Sequence, residues 1–216
     1  MNLQEALTII GGLSSPSKMP CASYNLPATS CKTGSKMRDI KGTICGTCYA
    51  RKGRYGFPNV KCALSRRLEA LSNPEWYDAM VVVLEHTTKN NKFFRWHDSG
   101  DLQSVEHFDM VCELARQFPT VKFWLPTQEW NTIIVKSQQF DCLPKNLTIR
   151  RSAMFFDEFP DKDSTGLYSA VATSKGLAEA EKGGHAICQA PLNEGKCGNC
   201  RKCWDKNVKC ITYHKH

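Results

Sequence analysis

The chain has 216 residues, 41% of them hydrophobic and 23% charged, an ordinary globular mixture that excludes disordered and fibrous architectures and fits one domain. Lys and Arg exceed Asp and Glu by eight, but acidic residues are interspersed, so the composition reads as a mildly basic solvated surface and nucleic acid is not expected as a partner. The longest apolar run, Ala79 to Leu84, falls far short of the roughly 20 residues that cross a bilayer, and the first ten residues lack a basic leader, so a cytoplasmic protein with no membrane partner is expected.

The first 58 residues are poor in periodic pattern and rich in turn signals, among them Pro16, Pro20, Pro27, Gly34, Gly42 and Gly53. So long an irregular stretch suggests that something such as a metal organises it. From Asn59, one helical face carries Val60, Ala63, Leu64, Leu68 and Leu71, and Asn73-Pro74 opens a second helix through Trp76, Met80 and Leu84.

Alternating elements follow. Phe93–His97 reads as a strand, Ser104 caps a helix stopped by Pro119, and Val121–Leu125 is a strand. Trp130–Val135 reads as a short helix, Leu147–Arg151, Leu167–Thr173 and His185–Cys188 as strands, and Cys210–Tyr213 as a strand with its own packing role. The βαβα order implies a parallel sheet. The strands are too few for an eight-fold barrel of roughly 250 residues, so the expectation is one α/β domain, a TIM-barrel-like fold that is a partial or irregular parallel barrel. It begins with the irregular segment 1–58 and ends in a cysteine-rich tail, 186–216.

Twelve cysteines without an export signal point to metal ligands rather than disulfides. Cys62, Cys112 and Cys142 are scattered and read as small buried hydrophobes. The sharpest pattern is Cys188, eight residues, then Cys197-x2-Cys200-x2-Cys203. Two-residue spacers let successive sulfurs converge on one centre, and three such cysteines with a remote fourth suit an iron–sulfur cluster, [4Fe-4S] or, with a ligand missing, [3Fe-4S]. A zinc ion, helped by His214 and His216, is the alternative. Cys188 is preferred to Cys210 as the fourth ligand because a strand end positions it.

Cys45-x2-Cys48 is a metal-type pair that Cys31 or Cys21 would join to give three or four thiolates, and three, as in Cys31, Cys45 and Cys48, would leave one iron of a cluster open to a small molecule. The third constellation is His97, Asp98 and Asp101, placed by strand polarity at the edge where α/β folds hold ligands. Thr127, Glu129, Arg150, Arg151 and Ser152 occupy equivalent edges, and a shared mouth would use them all. No Walker loop, Gly-x-Gly-x-x-Gly, His-Glu-x-x-His or Gly-x-Ser-x-Gly occurs, and no catalytic residue is assigned.

The blocks SKMPCASYNLPATSC, GTICGTCYARKGRYGFPNV, FRWHDSGDLQS, FWLPTQE and CGNCRKCW together resemble the phage gene product 88 domain family, common in phages of actinobacteria. The resemblance implies iron–sulfur proteins on a TIM-barrel-like fold, discussed as unusual ferredoxins, working in the cytoplasm of an infected bacterium. It matches Cys188, Cys197, Cys200 and Cys203 to the family's C-terminal cysteines and Cys31, Cys45 and Cys48 to its N-terminal ones; Cys21 and Cys210 stand outside the pattern. The leading function is ferredoxin-like one-electron transfer to a redox partner protein. The alternatives are an enzyme resembling radical S-adenosylmethionine proteins, with an open cluster on Cys31, Cys45 and Cys48, and a zinc-stabilised nucleic-acid binder.

Overall fold

The computed structural model describes residues 1–161 and 163–215. Seven parallel strands form one sheet: β1 Ser23–Tyr24, β2 Phe93–Trp96, β3 Lys122–Thr127, β4 Leu147–Ser152, β5 Tyr168–Ala172, β6 Ala186–Ile187 and β7 Cys210–His214. Their order is β1-β2-β3-β4-β5-β7-β6. Among the described residues β1 and β6 stand at opposite edges and do not pair with each other, so the sheet is open and the expected barrel is not closed. Both edge strands have only two residues, too short a ladder to seal a barrel seam.

Among the described residues six α-helices accompany the sheet: α1 Leu3–Ile9, α2 Lys32–Met37, α3 Pro58–Ala70, α4 Trp76–Thr87, α5 Val105–Gln117 and α6 Ser174–Lys182. The first 58 residues are therefore less irregular than their composition implies, since they hold α1, β1 and α2 together with several 3-10 turns. A reciprocal cap starts α1: the Asn2 side chain accepts from the Glu5 N–H at 3.0 Å, and the Glu5 carboxylate accepts from the Asn2 N–H at 2.8 Å. Ser104 accepts from the His107 N–H at 3.1 Å and starts α5 as its residue type predicts. Where a helix over Trp130–Val135 is expected, the chain makes only turns and a 3-10 segment, Ile134–Lys136.

The alternation of β2, β3 and β4 sorts their side chains onto two faces. Phe94, Trp96, Phe123, Leu125, Leu147 and Ile149 join the main core with residues of α1, α4 and α5. The opposite face carries Phe93, Arg95, Trp124, Thr148 and Arg150, and Trp204 of the C-terminal segment packs onto it together with Cys21, Met19, Cys203 and Tyr213. Every cysteine that matters to the site lies on this second face or at the C-terminal edge of the sheet.

Candidate metal centres

Arg150 folds the cysteine-bearing tail onto the sheet. It is fully buried, and its guanidinium donates to the carbonyls of Cys203 (3.0 Å), Asp205 (2.8 Å), Val208 (2.8 Å) and Lys202 (3.1 Å). Burial lowers its pKa, opposed by the nearby Tyr213, Cys203 and Cys210. Thr148 adds a hydrogen bond to the Trp204 carbonyl at 2.9 Å, and the Trp204 indole N–H donates to the Phe94 carbonyl at 2.9 Å. Arg150 thus lies beneath the tail and not at the ligand mouth that strand order suggests.

Tethered in this way, the tail brings its thiols into one neighbourhood. Cys197 lies within electrostatic reach of Cys188 and Cys200, Cys188 within reach of Cys200, and Cys203 within reach of Cys188. Cys188 follows β6 directly, and its N–H donates to the Thr212 carbonyl of β7 at 2.8 Å, so the sheet positions it. The Cys197 N–H donates to the Lys18 carbonyl, which joins the tail to the segment before β1. Cys21, set aside on sequence, is also here: it is buried and within reach of Cys197 and Cys203. Cys210 begins β7 instead, with Thr212 and Arg150 as its neighbours. His216 lies outside the described residues.

Burial pushes the Cys188 and Cys197 thiols upward, Cys203 to about 11 and Cys21 to about 12. A bound cation would deprotonate its thiol ligands outright. Three cations stand ready to offset that charge. Arg201 lies over the Phe93 ring at 5.2 Å, Arg150 supports the tail, and Arg95 sits 4.3 Å over Trp124. The Tyr213 hydroxyl is 3.1 Å from the Cys203 sulfur, an oxygen aimed at a candidate ligand.

Beyond β1 the second set assembles. Cys31, Cys45 and Cys48 lie within electrostatic reach of one another, and burial raises Cys45 to about 11 and Cys31 further. Gly34 leaves room between two of them: a Cβ there would stand 3.1 Å from the Cys31 Cβ and 3.4 Å from the Cys45 sulfur. The loop is hung on Glu129, fully buried after β3, whose carboxylate accepts from the Thr33 N–H (2.7 Å) and hydroxyl (2.8 Å). Asp101 is the other carboxyl in reach. Burial raises it to about 7, despite hydrogen bonds from the Thr127 hydroxyl and the N–H groups of Gln128 and Leu102.

The His97, Asp98 and Asp101 trio divides. Asp101 lies within electrostatic reach of Cys31 and Cys45. Asp98 pairs with Arg95 at 2.8 Å and accepts hydrogen bonds from the hydroxyls of Tyr49 and Tyr55. His97 instead turns toward the helix layer, its ring 5.3 Å from that of His107 in α5 and perpendicular to it. It adopts φ +58°, left-handed for a side-chain-bearing residue, which reverses the direction that simple alternation gives. Gly100, at φ +76°, passes so close to Leu26 that a Cβ would stand 2.6 Å from the Leu26 Cβ.

Arg95 connects the two sets. On one side it meets Asp98 and Tyr49, the residue after Cys48; on the other it meets Tyr213 and Cys203. Burial opposes its charge, but these neighbours outweigh it and hold the guanidinium cationic. Sequence pattern places Arg95 near the ligand edge, whereas Tyr213 carries no motif. Only its alternation within β7, facing the same side as Ile211, could have marked it.

Of the scattered cysteines only Cys112 is buried; Cys62 and Cys142 are exposed, contrary to expectation. Among the described residues no three His, Cys, Asp or Glu converge closely enough for one metal ion, and no helix is long and apolar enough to cross a membrane.

Together the parallel sheet, the buried cationic face and the two cysteine sets define an α/β protein with its clustered cysteines against one face and one edge of the sheet. Residues 3–206 match the family described as Gene product 88, and the chain belongs to that phage gene-product family. Comparison with curated proteins and with solved structures finds no match. The matched region contains both cysteine sets and ends before Cys210.

Proposed function

We propose that the chain binds an iron–sulfur cluster, [4Fe-4S] with [3Fe-4S] as its ligand-deficient form, through Cys188, Cys197, Cys200 and Cys203, and that it carries single electrons to a redox partner in the host cytoplasm. The observation that carries this reading is the seating of Cys203 beside Arg95 and Tyr213, its carbonyl held by Arg150, with Cys188 in reach of it and Cys197 and Cys200 in reach of Cys188. One tetrahedral zinc ion, with bonds of about 2.3 Å, draws its four sulfurs into contact. A cubane gives each thiolate its own iron, so a looser group of thiols suits it better. Arginines beside the ligands stabilise the more negative, reduced state and set the potential. The fold reads as a partial barrel, open at β1 and β6, with the cluster on its inner face. Anaerobic purification followed by iron, sulfide and zinc analysis tests the proposal. Iron and sulfide in equal amounts with reversible bleaching on reduction support it; stoichiometric zinc, or no metal, refutes it.

A second reading rests on the other cysteine set. Cys31, Cys45 and Cys48 follow β1 at the C-terminal edge of a parallel sheet, next to Asp101 and Glu129. Three thiolates would leave one iron open, which suits an enzyme resembling radical S-adenosylmethionine proteins. Cleavage of S-adenosylmethionine by the reduced, reconstituted protein would favour this reading over pure electron transfer.

A further inference from the structure

The net charge of +8 is not spread along the chain. Between Ala6 and Leu68 lie eleven Lys and Arg and a single acidic residue, Asp39, leaving 18 basic and 20 acidic residues for the rest. Asp39 is already paired with Arg38 at 3.2 Å. Whole-chain composition hides this segregation, which is why it points away from nucleic acid. Lys32, Lys36 and Lys41, on and just beyond α2, are exposed, and so are Arg51 and Arg54, in the 3-10 turns Tyr49–Arg51 and Gly53–Gly56, and Lys52 between those turns. These pieces touch in succession. Helix α2 packs against the turns Ala28–Ser30 and Cys45–Thr47, the first of these against Tyr49–Arg51, that against Gly53–Gly56, and the last against α3. The cations therefore share one region of surface.

Two large rings stand out among them, Phe57 at 56% and Tyr49 at 46% exposed. Tyr49 is held in place by its hydroxyl's hydrogen bond to Asp98 and its edge contact with Tyr55, and Phe57 is the residue from which α3 starts. We propose that this surface binds single-stranded nucleic acid, the cations following the phosphates and the two rings stacking on unpaired bases. A duplex keeps its bases stacked on one another and leaves the rings unused, and an acidic protein would answer the charge but not the rings. The proposal needs no metal and stands apart from the cluster reading.

The test is fluorescence anisotropy of a labelled 20-nucleotide oligo-dT with the full chain. If about five cations meet phosphates, a single strand should lose roughly 100-fold in affinity between 50 and 200 mM salt. Arg51→Glu with Lys52→Glu and Arg54→Glu should weaken binding at least tenfold, whereas Lys175→Glu with Lys182→Glu on α6 should leave it unchanged. Phe57→Ala should cost several-fold while preserving the salt slope, with circular dichroism confirming the fold. Two exposed thiols report location: oligo-dT should slow alkylation of Cys62, on α3, and spare Cys142, on the turn Phe140–Cys142. Polyglutamate or a duplex binding as tightly as oligo-dT, an indifferent Phe57→Ala, or equal shielding of both thiols would overturn it.

Discussion

Replacing Arg150 by Met keeps much of the side chain's volume but removes every donor that holds the tail. Four tail carbonyls, those of Lys202, Cys203, Asp205 and Val208, lose a charged partner at 2.8–3.1 Å. Hydrogen bonds to charged groups contribute about 1.5–3 kcal/mol each, but the four do not add, because the tail can lift and give its carbonyls back to water. Lifting caps the loss at about 4 kcal/mol, nearly a thousandfold rise in the open population. Trypsin reads this directly, since Lys202, Lys206 and Lys209 lie within the lifted segment. Where opening is fast relative to cleavage, the cutting rate follows the open population. Arg150→Met should accelerate cleavage at these sites by at least a hundredfold and move Trp204 fluorescence to longer wavelength, while cutting near α4 barely changes. Unaltered tail cleavage in a folded Arg150→Met protein would show that the guanidinium does not hold the tail.

Cys188→Ser should abolish the visible iron–sulfur absorbance or leave a three-iron species, while Cys210→Ala keeps iron near the wild-type level; the reverse result refutes the ligand assignment. Arg95→Met should lower the midpoint potential of that cluster by about 60 mV or more, a tenfold change in a one-electron equilibrium, and Arg95→Lys should lower it less, as potentiometric titration will show. Burial holds His107 down at about 4 and His97 well below 6.5, so below pH 6.5 the folded state binds fewer protons than the unfolded chain. Their contribution is whole above pH 6.5 and falls as the pH drops toward 4: between pH 7 and 5 His107 alone should cost about 2 kcal/mol. His107→Gln should flatten urea-unfolding stability over that range, and an unchanged pH slope would contradict the burial argument. Glu129→Ala removes the acceptor of both Thr33 hydrogen bonds, so trypsin should cut at Lys36 and Lys41 several-fold faster; equal rates would mean that the loop is held elsewhere.

The parallel order was legible because short aromatic-rich runs such as Phe93–Trp96 and Lys122–Thr127 alternate with helices, and Ser104 caps α5 as its type predicts; Asn73 instead accepts from the Glu75 N–H in the turn before α4, which starts from Glu75 without a side-chain cap. Closure was not legible. It depends on whether two-residue strands such as β1 and β6 meet, and two residues leave no periodic trace in a sequence. Cysteine spacing carries no sign that Cys21 lies beside Cys197 and Cys203, since that contact runs through tertiary structure alone. Strand polarity sets His97 at the end of β2 but not the direction of its ring, which a positive φ turns toward the helix layer. Arg150 looked like an edge residue for a related reason: periodicity gives a residue its face but says nothing of what covers that face.

Strand β7 lies between β5 and β6, although β6 comes first along the chain. Among the described residues β6 pairs with β7 only, so it has no ladder to join until β7 has docked on β5. Neighbouring parallel strands need a crossover of about a dozen residues or more, commonly an α-helix. Here the crossover holds no α-helix among its described residues, and it carries Cys197, Cys200 and Cys203. The sheet can therefore grow from β1 through β5 with the cysteine run still loose, and Cys188 reaches its place only when β7 closes the gap. This topology predicts that thiol assembly follows the β1–β5 part of the sheet rather than nucleating it. Variants that slow β7 docking should delay it without slowing the formation of the β1–β5 half.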